Sequence, residues 1–142
     1  MLDGEIRDGR HYMQVRVFYE DTDFSSAVYH ASYLRFFERG RTNFLRLLGT
    51  DQRTLFADAE TGGAFAVRSM TLDFLKPARM DDVLDIVTFP GEVKGASISL
   101  DQECRRKSEL LVKARVRVAF IVAGKAGRIP QALRDAMQAG NP

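Results

Sequence analysis

Hydrophobic and polar residues alternate over most of this chain and recur at helical spacing over one stretch. In residues 13–19, MQVRVFY, the side chains of Met13, Val15, Val17 and Tyr19 share one side, which predicts a first strand. From Ala31 to Leu48 the repeat lengthens. Tyr33, Leu34, Phe37, Phe44, Leu45 and Leu48 return every three or four positions, predicting one long helix that Gly49 stops. Thr50 or Asp51 can cap a shorter helix through about Ala59, after which Gly62-Gly63 resets the chain.

Four further strands are predicted at 65–75, 83–93, 97–105 and 110–122. Pro77 ends the first, Pro90-Gly91 kinks the second, and Lys94-Gly95 turns the chain into the third. In the third, Ile98, Leu100, Gln102 and Cys104 alternate with Ser97, Ser99, Asp101 and Glu103. The last sets Leu110, Val112, Ala114, Val116, Val118, Phe120 and Val122 against Glu109, Lys113, Arg115 and Arg117. Gly124 to Gly127 turn the chain again, and Pro130 can open a short terminal helix. A sheet with one apolar face needs cover, and the helix of residues 31–48, about 27 Å long at ~1.5 Å per residue, is the only element long enough. The expected fold class is therefore α+β: an antiparallel sheet wrapped around a long central helix, in one domain spanning residues 1–142.

Composition narrows the function classes. Of 142 residues, 45% are hydrophobic, enough for one core, and 21 Lys and Arg nearly balance 19 Asp and Glu. No long run of one sign marks a nucleic-acid tail or a membrane anchor, so no nucleic-acid partner is expected. The opening MLDGEIRDGR lacks the basic start and apolar block of an export signal, and a cytoplasmic protein is expected. Cys104, the single cysteine, falls on the apolar side of its strand and reads as inert packing.

The chemistry concentrates in YEDTDFSSAVYHASY, residues 19–33, where Glu20, Asp21 and Asp23 precede His30. A metal site there would want more nitrogen or sulfur ligands, and His11 lies in an amino-terminal stretch that reads as frayed; no metal or cofactor is expected. Ser25 and Ser26 lie between Asp23 and His30, but no GxSxG turn frames a nucleophile. Carboxylate chemistry is the third option: a helix beginning near His30 has free first amides able to hold an oxyanion, with Asp23 across the same carbonyl as base or nucleophile. Against all three stands the plain reading that the acids are solvated turn and capping residues.

Three blocks carry a resemblance: Val15 to Asp23 (VRVFYEDTD), Val28 to Tyr33 (VYHASY) and Phe37 to Arg41 (FERGR), supported by Val67 to Thr71 and Pro77 to Asp82. Over roughly residues 13–136 the chain resembles hotdog-fold acyl-CoA thioesterases of the 4-hydroxybenzoyl-CoA thioesterase class, in the branch associated with the bacterial Tol-Pal envelope system. The resemblance implies a hotdog fold and hydrolysis of an acyl-CoA or acyl-carrier-protein thioester. It also implies a homodimer or homotetramer with sites at subunit interfaces, and cell-envelope or lipid-synthesis proteins as partners. It makes Asp23 the catalytic carboxylate and His30 the residue whose backbone amide, with its imidazole, polarises the carbonyl. The family is glycine-rich after the aspartate, whereas this chain has Phe24-Ser25-Ser26, and serine resists the positive φ that glycine allows.

Further candidates surround this core. Tyr29, Tyr33 and Ser26 are placed to contact an acyl group, although aromatics at the start of a core helix also serve as packing. Glu38 is either a second carboxylate or the helical partner of Arg35 or Arg41. Lys94, in its hairpin, is the choice for the CoA phosphates, with Arg105-Arg106-Lys107 as a competitor. Two other functions stay open: a hydratase or dehydratase on a 3-hydroxyacyl thioester using His30 and Glu38, and a non-catalytic acyl-binding or scaffold protein.

Overall fold

A computed structural model describes residues 2–49 and 63–139. The elements run β1 (Glu5–Arg7), β2 (Arg10–Arg16), α1 (His30–Leu47), β3 (Gly63–Phe74), β4 (Val83–Val93), β5 (Ser97–Arg106), β6 (Glu109–Val122), β7 (Lys125–Ala126) and α2 (Gln131–Ala139). The short helix expected through Ala59 lies outside the described residues. All pairings are antiparallel, in the order β1-β2-β4-β5-β6-β3, with β7 on β6.

The period-two stretches fold as strands because each has one face to bury. Leu84 and Ile86 of β4, Ile98, Leu100 and Cys104 of β5, and Val112 and Val116 of β6 are buried against Phe36, Phe37 and Phe44 of α1. Burial pushes the Cys104 thiol up to about 12, which fits an inert thiol. The ladder between β4 and β5 slips between Pro90 and Val93, the bulge expected at Pro90-Gly91. Gly49, at φ +91°, ends α1 in the left-handed conformation.

Two expectations about the amino terminus need correction. The strand read at 13–19 occupies Arg10–Arg16, and Tyr19 is 81% exposed in a single 3-10 turn, Tyr19–Asp21. The chain curls out of the ladder because Asp21 Oδ2 accepts the Phe18 amide at 2.9 Å. His11, read as frayed, is fully buried beside Phe44, with a nitrogen 2.8 Å from the Asp3 carbonyl. That carbonyl can only accept, so Nε2 carries the proton, and Nδ1 is buried without a partner.

Beneath the middle of α1 lies a polar core. A Cβ on Gly40 would meet Thr88 Oγ1 at 2.9 Å and Ile86 Cγ2 at 3.1 Å, so glycine permits this close approach. Arg41, 8% exposed, donates to Gln102 Oε1 at 3.0 Å, and Gln102 Nε2 donates to the Phe37 carbonyl and Thr88 Oγ1, each at 2.9 Å. Among the described residues no helix is long and apolar enough to cross a membrane.

Candidate active site

The three carboxylates of the acidic stretch have separate fates. Asp21 is buried: besides holding the Phe18 amide, its carboxylate meets Arg35 at 3.3 Å, and its carbonyl accepts the Tyr29 amide at 2.9 Å and the Ser32 hydroxyl at 3.0 Å. It fastens the start of α1 to the turn before it. Glu20 is exposed. Asp23 is half-buried in a small hairpin whose arms meet at Thr22 and Val28 and which is pinned to Arg79 through Ala27.

Ser25 donates its amide (2.8 Å) and its hydroxyl (2.6 Å) to Asp23 Oδ1, and no other side-chain hydrogen bond to this carboxylate is found among the described residues. These bonds, the hydroxyl first, hold the carboxyl below its ordinary value, reinforced by the Ala27 amide and the Arg79 guanidinium. Asp23 is thus ionised at neutral pH. It lines an open depression with Phe18, Tyr19, Glu20, Thr22 and Phe24. Phe24 is fully exposed, and Phe18 and Tyr29 are about half exposed. An apolar rim around an ionised carboxylate suits a ligand with an oily end.

Ser26 takes the left-handed conformation that the resemblance led one to expect of a glycine. Ser26 adopts φ +67°, held by its amide on the Asp23 carbonyl at 3.1 Å and by the Met80 amide on its own carbonyl at 3.3 Å. The Phe24-Ser25-Ser26 turn therefore contains a left-handed residue although it has no glycine.

His30 is the first residue of α1, after Tyr29 at φ −64° and ψ 136° with no side-chain cap. Among the described residues, the His30 and Ala31 amides have no acceptor, while that of Ser32 bonds the Tyr29 carbonyl. A helix start with free amides favours developing negative charge. The imidazole is exposed and packs on the Tyr29 ring at 4.4 Å. In the hairpin Asp23 lies opposite Ala27 and Asp21 opposite Tyr29, so Asp23 and the His30 amide are about three ladder steps apart, roughly 10 Å at the backbone.

Other sequence candidates sit elsewhere. Tyr33 is 3% exposed and its hydroxyl accepts the Ala78 amide at 3.1 Å, which makes it a core strut. Glu38 is exposed and forms no ion pair among the described residues; Arg35 pairs with Asp21 and Arg41 with Gln102. Its position, eight residues beyond His30, is about 12 Å along the helix axis. Lys94 lies in the β4–β5 turn, 3.9 Å from Glu92, with its carbonyl held by Arg134. The Asp23 loop is stitched to the other end of β4, about 35 Å away at ~3.3 Å per residue, so Lys94 and Asp23 of one chain belong to different ends of the sheet. Arg105 and Arg106 are occupied by Glu103, and by Asp82 and Glu109. Among the described residues no cluster of three His, Cys, Asp or Glu side chains could hold a metal.

Sequence reasoning did not find Asp21 as the brace, because its partner Arg35 is fourteen residues away. Nor did it find Ser25, whose position two residues after an aspartate is an ordinary turn-forming pattern.

The profile of the thioesterase-like superfamily matches residues 17–137. An acyl-CoA thioesterase YbgC of Haemophilus influenzae is 46% identical over 111 residues, 78% of this chain and 80% of that one. The acyl-CoA thioester hydrolase YbgC of Escherichia coli is 43% identical over 108 residues, 75% and 78% of the two chains. Among solved structures, a probable thioesterase from Bartonella henselae superposes with a TM-score of 0.80 at 43% identity, covering 85% of this chain and 99% of that one. A 4-hydroxybenzoyl CoA thioesterase mutant in complex with 4-hydroxybenzoyl CoA gives a TM-score of 0.84 at 20% identity, covering 91% and 99%, a likeness of fold.

Proposed function

Since this chain belongs to the thioesterase-like superfamily, we propose that it hydrolyses acyl-CoA thioesters to a free acid and CoA, with Asp23 as the reacting carboxylate. The observation that carries this reading is the ionised Asp23 inside an apolar rim beside a helix start with free amides. A thioester laid along the hairpin would turn its carbonyl oxygen to the His30 and Ala31 amides and its carbonyl carbon to Asp23. Such an amide contributes about 2.7–4 kcal/mol to an oxyanion, and a positioned base or nucleophile roughly 10²–10⁴-fold in rate. Covering the depression with an acyl group removes water from Asp23 and raises its basicity at the moment it is needed.

The reading includes a second copy. β3 is a twelve-residue strand paired, among the described residues, on one side only, with Val67 and Phe74 about half exposed, and an edge of this length invites pairing. A homodimer or homotetramer built on it would cover the apolar rim and could bring a partner's Lys94 to this site. The activity would belong to the cytoplasm, where CoA thioesters are made, with the envelope association that the Tol-Pal resemblance implies.

The test is thiol release from a panel of acyl-CoA esters. Asp23→Asn should lose at least about 100-fold in kcat with an unchanged melting temperature, while His30→Ala should retain a measurable remnant because the backbone amide survives. Full activity in Asp23→Asn refutes the assignment.

A further inference from the structure

Arg106, the last residue of β5, ties three parts of the chain together. Its guanidinium donates to Asp82 Oδ2 at 2.9 Å, to Glu109 Oε1 at 2.6 Å and to the Pro77 carbonyl at 3.4 Å. Among the described residues no other basic side chain reaches two carboxylates. Asp82 uses the same Oδ2 to accept the Arg79 amide at 2.9 Å, and its own amide returns to the Arg79 carbonyl at 3.1 Å. The turn closed in this way contains Asp81 at φ +70°, a left-handed residue that is not glycine and persists only where its surroundings hold it. Arg79 bridges to Ala27 of the acidic hairpin, and the Ala27 carbonyl accepts the Asp23 amide at 2.9 Å. A continuous path of ion pairs and backbone bonds thus runs from the β5–β6 turn to Asp23.

We propose that Arg106 is a positioning residue for the reaction: through Asp82 it fixes the turn from Arg79 to Asp82, and through that turn the placement of Asp23. Arg106 makes no hydrogen bond to Asp23, and the guanidinium that acts on this carboxylate directly is that of Arg79. An arginine suits the task because its planar fork serves several oxygens at once, whereas a lysine offers one point of charge. At 32% and 24% exposure the Arg106 and Asp82 side chains are partly shielded, so their pairing is stiffer than that of an open surface pair. Loosening the turn moves Arg79 and Ala27 away from the carboxylate whose charge they favour and blurs its aim, and an error of about 1 Å in such a group can cost roughly 100-fold in rate. This inference rests on Asp23 being the reacting carboxylate, and its test separates the two.

The test compares Arg106→Gln and Arg106→Lys with Arg115→Gln, which breaks a 3.0 Å ion pair to Asp101 in the middle of β5 and β6. Thiol release is followed against pH, the Asp23 carboxyl is titrated directly by carbon NMR, and retained fold is checked by circular dichroism. Arg106→Gln should lower kcat about tenfold while KM changes by less than about twofold, and should move both the acid limb of the rate profile and the Asp23 titration to higher pH. Arg106→Lys should recover part of each effect, and Arg115→Gln should produce none of them. Should Arg106→Gln not fold, Glu109→Gln, which removes one arm of the fork, takes its place with smaller changes in the same direction. An unmoved Asp23 titration, an unchanged kcat in an active enzyme, or equal changes in Arg115→Gln overturns the proposal. If the wild type releases no thiol, or Asp23→Asn keeps full activity, the hydrolytic reading fails and the NMR titration alone decides: a shift in Arg106→Gln upholds the role of Arg106, and none rejects it.

Discussion

Around Gly40, α1 lies so close to the sheet that one added carbon would strike Thr88, and Arg41, Gln102 and Thr88 are linked by hydrogen bonds there. Around His30 the same helix ends in free amides, exposed aromatic rings and an ionised carboxylate. The middle is a clamp and the start is a workbench. Residues that look alike in sequence do opposite work in the two places: Arg41 sits in the core on a neutral amide, whereas Arg39, two positions earlier, faces an open groove. A helix can offer reactive termini because tight packing elsewhere fixes its position.

The largest effect should come from unbalancing the clamp. Gln102→Leu removes the acceptor of a buried guanidinium and the donor to Phe37 and Thr88, and should cost about 3 kcal/mol in urea unfolding. Combining it with Arg41→Met should recover part of that loss, because no charge is then left buried; a double variant as unstable as the sum of its singles would show that the two residues do not work as a unit.

His11 provides a second, pH-dependent test of the sealed region. Burial holds its imidazole below the ordinary histidine value of about 6.5, against weaker opposing effects of the Asp3 carbonyl and carboxylate. Between the folded and unfolded values only the unfolded chain binds the proton, so stability falls as pH drops below about 6.5 and levels off once the folded value is passed. Denaturation midpoints at pH 7.5 and pH 5 should differ more in the wild type than in His11→Leu.

At the open end, Ser25→Ala removes the largest influence depressing Asp23. The acid limb of the pH–rate profile for thiol release should move to higher pH, and an unmoved limb would mean that the ionised form of Asp23 does not govern the rate. The smallest effect is expected for Ser26→Gly. A left-handed serine costs about 1–2 kcal/mol, and glycine's extra freedom when unfolded returns roughly half of it, so stability should rise by about 1 kcal/mol or less.

Much of the fold was legible because its period was simple. Strand β4 begins and ends at the residues expected, and the Pro90-Gly91 bulge was visible as a proline in a strand. The first hairpin was legible too, through Asp8-Gly9 at φ 52° and 77°, a strong hairpin signal that the reading of the amino terminus passed over. Asp23 and His30 stood out by resemblance, but the sorting of Asp21 from Asp23 depended on Arg35 arriving from the helix, and the isolation of Lys94 on the course of β4 across the sheet. Both are consequences of tertiary placement, to which local spacing is blind.

The segment between β3 and β4 runs from Leu75 to Asp82 and is sewn on both sides. Its Leu75 and Lys76 amides hold the Leu111 carbonyl, while Ala78 and Met80 bond Val28 and Ser26 of the acidic hairpin. Ala78 also carries the Tyr33 hydroxyl. It therefore works as a lever whose long arm is the free-edge strand and whose short arm carries the carboxylate. A change at the rim of the sheet, from a neighbour's grip to a single substitution, is geared directly to where Asp23 points.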